Sequence, residues 1–372
     1  MMQFISHLRN LMRFMLMPKS QRKLTFYSES KNYWAHLEGL VNELLATSDI
    51  SVCYISSDDE DPGLKLDHPN YHSFKIDDGY IRNWLFENIE TDVMVMTMPD
   101  LGQYQVKRSK YDVHYVYVQH SLVSLHMAYR KGAFDHYDTI FCAGPHHIKE
   151  IRAMEAKYNL PEKNLVEHGY FRLDSIIKET KRRPFRHRAV NEPQHVLIAP
   201  SWGSEGTIES GFCINIIDKL IGNGCKVTLR PHPQTIKFSQ NRIDEILKKH
   251  SENILFNYES NVAGQESLHT SDIMISDWSG AALDYAFGLN KPVIFINVPR
   301  KINNEDYQSF GIEPFEVTIR ESIGGVMEIS ELNNIDSFLE LPGFGSIEHP
   351  VFNCSKSSKK GCLMLREICN AS

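Results

Sequence analysis

Several common classes of protein are disfavoured by what this sequence lacks. Its seven cysteines are odd in number and form no C-x-x-C pair, so neither a disulfide framework nor a zinc site is indicated. No apolar run approaches the ~20 residues needed to span a bilayer, and a secretory signal is not expected. The motifs G-x-G-x-x-G, H-E-x-x-H and G-x-S-x-G and the P-loop pattern are missing too, which argues against the chemistry each supports.

An excess of positive charge is also missing. The 40 lysines and arginines are outnumbered by 47 aspartates and glutamates, and the net charge of −7 argues against a nucleic-acid partner. The hydrophobic content of 42% is typical of a folded protein, and 372 residues suit two domains. Cys53 and Cys142 lie in apolar, strand-like runs, so we expect buried, reduced thiols in a cytosolic protein.

The N-terminal segment, residues 1–24, is basic and contains no acidic residue; its cations are Arg9, Arg13, Lys19, Arg22 and Lys23. Apolar residues recur at near-helical spacing and predict an amphipathic helix; they are Phe4, Ile5, Leu8, Leu11, Met12, Met15 and Leu16. Such a helix can lie in an anionic membrane interface. It can equally pack on the protein's own first domain, because Phe14 and Met17 interrupt the apolar stripe.

The rest of the chain alternates strand-like and helix-like segments. The predicted strands are Leu24–Tyr27, Ile50–Ile55, Asp92–Met96, Val113–Val118, Thr139–Cys142, Leu165–Glu167, His195–Ala199, Lys226–Leu229, Asn253–Phe256, Ile273–Ser276 and Pro292–Ile296. Repeated β–α units predict an α/β protein with parallel sheets and helices on both faces. We place the first domain at 25–180, a basic linker at 181–190 and the second domain at 191–345. A C-terminal segment, 346–372, could cross back to the first domain.

Two segments at predicted strand ends carry groups suited to phosphate, because ligands of parallel sheets bind at the carboxyl ends of the strands. In L-R-P-H-P, prolines stiffen the backbone around His232, and the guanidinium of Arg230 can donate hydrogen bonds to two phosphate oxygens at once. In I-S-D-W-S-G, Asp277 or Ser279 can cap a helix whose N–H groups favour an anion. Gly280 would let a ligand approach the backbone. The plainer alternatives are a loop with a chance histidine and an ordinary capped helix.

His120, just past a predicted strand, is the best candidate for a general base. An imidazole titrates near neutrality and can take a proton from an attacking hydroxyl group. His126 is a nearby residue of the same type without that position. His168 also ends a strand and could be structural, while Arg172 and Asp174 could pair across one turn.

Taken in order, these segments resemble the CDP-glycerol glycerophosphotransferase family. The family's motifs (a W-H-G-T-like run, G-x-x-R-x-D, A-P-T-W, R-x-H-P, (T/S)-D-Y-S-S and K-P-(I/V)-I-F) correspond to Tyr117–Ser121, Gly169–Asp174, Ala199–Trp202, Arg230–Pro233, Ser276–Gly280 and Lys291–Phe295. Ser121 stands where the family has a glycine, and the residues that follow it also differ. Gly280 stands where the family has the second serine. The likeness covers about residues 110–300.

The resemblance implies a GT-B-like fold of two Rossmann-like domains facing across a cleft. It implies a transferase of cell-wall or capsule polymer synthesis, of the teichoic-acid type. The enzyme would move glycerol phosphate, or a related polyol phosphate, from CDP-glycerol to a lipid-linked or polymeric glycan acceptor and release CMP. It would be cytoplasmic and peripheral on the inner face of a bacterial membrane. Mg²⁺ could assist, although no carboxylate cluster in the sequence demands it.

The resemblance also assigns residue roles. His120 would be the base and His232 a second essential histidine. The donor's phosphates and nucleotide would be bound by Arg230, Ser201, Trp202, Ser276, Asp277, Ser279 and Gly280. Support would come from His168, Arg172 and Asp174.

The sequence is also compatible with three other functions. The first is a GT-B glycosyltransferase that uses a nucleotide sugar. The second is a nucleotide-sugar 2-epimerase, which the basic N-terminus disfavours. The third is a membrane-surface scaffold without activity, which the cluster of ionisable residues at strand ends disfavours.

Overall fold

The computed structural model describes residues 2–104, 106–184, 188–189, 191–341 and 350–371. It divides into two units. The first contains Met1–His120, Tyr129–Arg172 and Pro350–Ser372, and the second contains Ser121–Ala128 and Leu173–His349.

Strands in the described residues lie close to where apolar runs predict them. They are β1 Leu24–Ser28, β2 Val52–Ser56, β3 Tyr71–Lys75, β4 Val93–Met96, β5 His114–Val118, β6 Thr139–Cys142, β7 Asn164–Glu167, β8 His195–Ile198, β9 Lys226–Leu229, β10 Phe256–Tyr258, β11 Ile273–Ser276, β12 Val293–Ile296 and β13 Gly324–Met327. The strand predicted at Asn253–Phe256 begins three residues later than expected, because Asn253 and its neighbours form a turn after the preceding helix.

Helices connect these strands. The α-helices are α1 Met2–Met15, α2 Trp34–Thr47, α3 Tyr80–Asn88, α4 Leu125–Ala128, α5 Pro145–Tyr158, α6 Phe171–Arg182, α7 Cys213–Gly222, α8 Pro233–Phe238, α9 Gln240–His250, α10 Glu266–Thr270, α11 Gly280–Leu289, α12 Phe315–Thr318, α13 Arg320–Ile323, α14 Ile335–Leu339 and α15 Ser357–Ala371. Short 3₁₀ helices lie at Lys19–Gln21, Lys31–Tyr33, Pro62–Lys65, Glu305–Phe310 and Ile329–Asn334. In the described part of the chain, none of the helices combines the length and the apolar character needed to cross a bilayer.

The sheet of the first unit has the order β3-β2-β1-β4-β5-β6-β7, with every neighbouring pair parallel. Its inner strands β1, β2, β4 and β6 are buried throughout, as continuous apolar runs require, whereas the edge strands β3 and β7 are partly exposed. Cys53 and Cys142 are buried within β2 and β6, as expected. Strands β2 and β3 lie on one side of β1, and β4 to β7 lie on the other side. The order of strands therefore reverses between β1 and β4. That reversal is the position at which doubly wound sheets bind ligands.

The sheet of the second unit has the order β10-β9-β8-β11-β12-β13 and is also parallel throughout. This is the 3-2-1-4-5-6 order of a Rossmann domain, with its reversal between β8 and β11. Helix α7 covers one face through Ile216, Ile217 and Leu220, which share a core with Val196 and Ile275. The prediction of two parallel, Rossmann-like α/β domains is therefore confirmed.

Helix α1 packs on the first unit by one side and exposes another. Phe14 is 1% exposed and meets Phe74 edge to face, with ring centroids 5.4 Å apart. Beside it, Asn10 Nδ2 donates to the carbonyl oxygen of Lys75 over 3.0 Å. The side chains that remain 41–78% exposed on the helix and just after it are Phe4, Ile5, Leu8, Met12 and Leu16. Phe14 interrupts the apolar stripe because it is the residue that anchors the helix.

The division between the units falls within α6, at Arg172 and Leu173. From Leu173 onward the helix packs closely on α11, since a Cβ at Gly288 would lie 2.5 Å from Cγ2 of Ile176. The sequence places the linker later, at 181–190, and residues 185–187 and 190 of it lie outside the described residues.

The C-terminal segment begins at 346, and its first four residues also lie outside the described residues. Its helix α15 belongs to the first unit, where Cys362 and Leu365 share a core with Leu37 of α2. A Cβ at Gly361 would lie 2.3 Å from Cδ2 of Leu40. Glycine is therefore what allows the two helices to approach closely.

Candidate functional site

His120 lies two residues past the end of β5, at the carboxyl edge of the first sheet. Its ring is partly exposed, and both ring nitrogens face tyrosine hydroxyl groups. Nδ1 is 3.0 Å from the hydroxyl oxygen of Tyr117, and Nε2 is 3.3 Å from that of Tyr129. A neutral imidazole has one N–H and one acceptor nitrogen. Both nitrogens thus lie within hydrogen-bond distance of a tyrosine hydroxyl, and these contacts orient the ring.

Further aromatic rings surround His120. Tyr33 and His36 meet it edge to face, with centroids 5.6 and 6.1 Å from its own. Tyr170 stacks on His36 at 5.7 Å, and its hydroxyl group donates to the backbone oxygen of His120 over 3.0 Å. We call Tyr33, His36, Tyr117, Tyr129 and Tyr170 the aromatic cage.

The cage sets the protonation state of His120. Removal from water lowers the pKa of His120 to about 4, and a hydrogen bond to the backbone of Thr97 opposes this only in part. Burial also holds the pKa of His36 well below its usual value, with the neighbouring His120 and Arg172 acting in the same direction. Both imidazoles are therefore neutral near pH 7. A neutral, oriented imidazole is the form that can accept a proton from a hydroxyl group.

In the second unit, Asp277 organises the loop that follows β8. Its carboxylate, 1% exposed, accepts hydrogen bonds from the backbone N–H of Ser201 over 2.6 Å and from that of Thr207 over 3.2 Å. The Thr207 hydroxyl adds a third bond of 2.8 Å. Ser276 ties the same strand ends together, since its hydroxyl donates to the carbonyl oxygen of Ala199 over 2.8 Å. Asp277 and Ser276 thus hold the loop after β8 in place through buried hydrogen bonds.

Trp202 and His232 lie together at the edge of this sheet. Their ring centroids are 6.1 Å apart, and both side chains are partly exposed. His232 caps α8, with Nδ1 accepting a hydrogen bond from the Gln234 backbone N–H over 3.1 Å. Because Nδ1 is the acceptor, a neutral ring carries its proton on Nε2. His232 is thereby oriented as a hydrogen-bond donor through Nε2.

Ser279 caps α11 as expected, and its hydroxyl oxygen accepts from the backbone N–H of Ala281 over 3.3 Å. The first N–H groups of this ten-residue helix lie at the carboxyl end of β11. A Cβ at Gly280 would lie 2.2 Å from the hydroxyl oxygen of Ser121, so Ser121 fills the space where a side chain at 280 would stand.

Arg230 is 6% exposed and faces protein acceptors. Its guanidinium donates to the carbonyl oxygens of Val262 and Gly264, the latter over 3.0 Å, and to the hydroxyl of Ser267 over 3.3 Å. These bonds fasten the segment after β10. Its predicted part as a direct phosphate ligand receives no support from this arrangement.

A cation that the sequence analysis missed lies near Trp202. Nζ of Lys301, in the loop after β12, is 4.0 Å from the centroid of the Trp202 ring. Glu209, which follows the β8 loop, accepts a hydrogen bond from the Thr235 hydroxyl over 2.7 Å. Trp202, His232, Glu209 and Lys301 bring aromatic, donor, acidic and basic groups to one edge of the second sheet. Among the residues with described positions, no group of three or more His, Cys, Asp or Glu side chains could hold a metal ion.

The family of the chain follows from its sequence as a whole. The profile of the family described as CDP-Glycerol:Poly(glycerophosphate) glycerophosphotransferase matches residues 17–309, more than half of the chain. The chain belongs to this family. The resemblance inferred from separate motifs is thus confirmed. No curated protein matches the chain significantly.

Solved structures similar to this glycerophosphotransferase-family chain are sugar-nucleotide enzymes. The UDP-GlcNAc 2-epimerase from Methanocaldococcus jannaschii, in complex with UDP-GlcNAc and UDP, has a TM-score of 0.58 at 13% identity, over 93% of this chain and 99% of that one. The S. aureus MnaA–UDP co-structure gives 0.60 at 10%, over 94% and 98%. The epimerase from Neisseria meningitidis gives 0.54 at 13%, over 92% and 99%. At such identities the likeness shows the fold alone, and it confirms the GT-B-like fold class.

The supporting residues predicted for this family member are all buried. His168 is 1% exposed, stacks on Phe141 at 4.7 Å and has Nδ1 2.9 Å from the carbonyl oxygen of Gly169. Burial lowers the pKa of His168 to about 4. A Cβ at Gly361 would lie 2.6 Å from its Nε2, so the ring is packed against α15. Arg172 and Asp174 are buried in the first turn of α6. These positions indicate structural roles.

The residues that sequence reasoning missed are the aromatic cage in the first unit, and Lys301 and Glu209 in the second. The cage rings come from four separate stretches of chain, and no short motif joins them. Lys301 follows the K-P-(I/V)-I-F-like strand by six residues. Its place after a buried strand is the one signal that could have drawn attention to it.

Proposed function

We propose that this protein transfers glycerol phosphate, or a related polyol phosphate, from a CDP-activated donor to a hydroxyl group of a lipid-linked or polymeric glycan. Family membership carries the proposal. The edge of the second sheet supports it, because it offers hydrogen-bond donors and a cation, which suit the phosphates of a nucleotide donor. The edge of the first sheet supports it by presenting a neutral, oriented imidazole, which suits an acceptor hydroxyl group.

The reaction would proceed by attack of the acceptor oxygen on the β-phosphorus of the donor. A new P–O bond forms to the acceptor, the bond between the β-phosphorus and the bridging oxygen breaks, and CMP leaves with that oxygen. His120 takes the proton of the acceptor hydroxyl group. Negative charge on the phosphate oxygens is stabilised by Nε2–H of His232 and by the N–H groups of α11 behind Ser279. Positioning and electrostatics supply most of such catalysis.

We propose further that the protein works at the inner face of a cell membrane and docks through α1. The side chains of Lys19, Arg22 and Lys23 already pair with acidic side chains of the first unit. Arg9 is exposed and has no recorded partner among the described residues, and it borders the exposed apolar face defined above. An exposed apolar helix face beside a cation suits an anionic lipid surface.

The experiment that tests the function is product release by the wild-type protein with a membrane-lipid extract as acceptor. CMP released from CDP-glycerol or CDP-ribitol only when acceptor is present supports polyol-phosphate transfer. UDP released from a UDP-sugar, with no CMP from either CDP-polyol, would contradict it and favour the glycosyltransferase alternative. Repeating the assay with EDTA shows whether Mg²⁺ takes part.

Flotation on vesicles that contain anionic lipid tests the docking. The double substitution Leu8→Ser and Met12→Ser removes exposed apolar surface without touching the Phe14 anchor, and it should leave most of the protein at the bottom of the gradient. Leu363→Ser is the matched control, because Leu363 is 54% exposed on α15. Equal flotation of all three proteins would disprove docking through α1.

A further inference from the structure

Lys301 occupies an unusual position for a lysine. Its side chain is partly buried, and Nζ lies 4.0 Å from the centroid of the Trp202 ring. Partial removal from water lowers the pKa of Lys301 to about 8, and the nearby negative charges of Asp277 and Glu209 oppose that shift. Most lysines instead keep the ammonium in water and bury only the stem. The loop after β12 therefore holds a cation where hydration is incomplete.

The ammonium group is not neutralised by direct contacts. No hydrogen bond or ion pair of Lys301 is found among the described residues. The carboxylate of Asp277 is occupied by Ser201 and Thr207, and one oxygen of Glu209 is occupied by Thr235. A partly desolvated cation without hydrogen bonds costs free energy unless something else satisfies it. Contact with the indole ring of Trp202 compensates only part of that cost.

We propose that Lys301 binds the pyrophosphate of the nucleotide donor and leaves the face of Trp202 when the donor enters. The inference rests on the proposed function and gives its donor site a cation. Arg230 does not supply one, because its guanidinium is bonded to the carbonyl oxygens of Val262 and Gly264. Lys301 has three N–H donors, and His232, whose ring is 6.1 Å from that of Trp202, adds another.

Binding measurements on the full-length protein test this without requiring turnover. Cytidine, CDP and inorganic pyrophosphate are titrated separately into the wild type and into Lys301→Ala. Loss of a charge-assisted contact should weaken CDP and pyrophosphate by about 10- to 100-fold and leave cytidine unchanged. Lys226→Ala is the matched control, since it removes one exposed positive charge from the same unit at the amino end of β9. It should bind all three ligands normally.

Lys301→Arg keeps the charge and provides a second, independent measurement. The affinity of the wild type for CDP should fall as the pH rises through about 8, because the ammonium loses its proton there. The arginine variant should bind CDP at neutral pH and show no such fall, since a guanidinium stays charged. Asp277 and Glu209 are the titratable groups whose charges act on Lys301, and His232 lies beside the same Trp202 ring. The variant retains all three.

Trp202 provides an optical signal for the same event. Departure of the ammonium from the ring should change the indole emission on addition of CDP, and Trp202→Phe should abolish that change. Unchanged CDP affinity in Lys301→Ala, or an equal loss for cytidine, would overturn the proposal. If Lys301→Ala fails to fold, the pH dependence of the arginine variant decides. Normal Lys301-dependent binding of CDP without CMP release from CDP-glycerol or CDP-ribitol would instead overturn the proposed function alone.

Discussion

In the first unit the ring of His120 is held by aromatic side chains, whereas in the second unit the loops around Trp202 are held by a buried carboxylate and face a cation. The two edges belong to sheets of nearly the same topology. They differ in the charge state that they favour. The aromatic cage removes His120 from water and keeps its imidazole neutral. The second edge keeps positive charge and N–H donors ready for an anion.

Two sheets of similar topology thus place their sites at the same edge, but the topology does not determine the chemistry of those sites. Parallel strands bring side chains to the carboxyl edge in both units. The local sequence then decides whether that edge favours a neutral base or a phosphate. A substitution at one edge should therefore leave the properties assigned to the other edge unchanged.

The largest effect is expected at the aromatic cage. His120→Gln keeps a polar side chain in the cage but removes the group that accepts the proton, and it should lower kcat by about 10²–10⁴-fold. CDP affinity, a property assigned to the second unit, should stay within twofold, about the error of a titration. CMP release and CDP titration of the same preparation provide both values. A parallel loss of CDP affinity would mean that the two edges do not have separate roles.

The next largest effect is expected at His232. His232→Ala removes the Nε2–H donor and should weaken CDP binding by about 10- to 100-fold, the range for a hydrogen bond to a charged group. His68→Ala is the control, because Nδ1 of His68 accepts from the Asn70 backbone N–H over 3.2 Å in the same local geometry. His68 precedes β3, at the amino edge of the first sheet, so its loss should leave binding unchanged. Equal behaviour of the two variants would show that only the local turn matters.

Two buried aspartates allow the scaffolds themselves to be compared. In the first unit Asp61 accepts from the hydroxyls of Tyr54 and Ser56 and from the backbone N–H of Gly63, much as Asp277 accepts from Ser201 and Thr207. Replacing either with asparagine should lower the opening free energy of its own unit by about 1–3 kcal/mol. Hydrogen exchange, read separately over each unit, measures this.

Only Asp277→Asn should also weaken CDP binding, because Asp277 shapes the loop that carries Trp202. Loss of binding in Asp61→Asn as well would show that the nucleotide depends on the first unit.

The smallest effect concerns pH. His120 must be neutral to accept a proton, and its pKa of about 4 keeps it neutral over most of the accessible range. Therefore kcat/KM should change less than about twofold between pH 7 and pH 5, whereas an ordinary histidine would give a drop of about 25-fold. A steep fall with an apparent pKa near 6.5 would mean that the cage does not control the base.

Strand positions were predictable where an apolar run ends abruptly in polar residues. Thr139–Cys142, Lys226–Leu229 and Ile273–Ser276 have the predicted bounds. β3 and β13 were missed because neither resembles a buried strand. The first has only two apolar residues, Tyr71 and Phe74, among polar ones, and the second begins with two glycines.

Side-chain roles were less predictable than strands. The sequence shows that Arg230 and Lys301 both follow buried strands, but it cannot show which cation is already bonded to carbonyl oxygens. Likewise, Tyr33 and Tyr129 are far apart in the chain and meet only around His120. Contacts of this kind depend on tertiary packing, which no local pattern encodes.

The close approach of Ser121 to Gly280 carries a consequence for how this sequence can diverge. The chain departs from its family's motifs at both positions, with serine for glycine at 121 and glycine for serine at 280, and the hydroxyl of one fills the space of the other's missing side chain. The two departures are thus reciprocal. A side chain at 280 would require the Ser121 hydroxyl to move, so its cost depends on the residue at 121. The two positions are therefore energetically coupled.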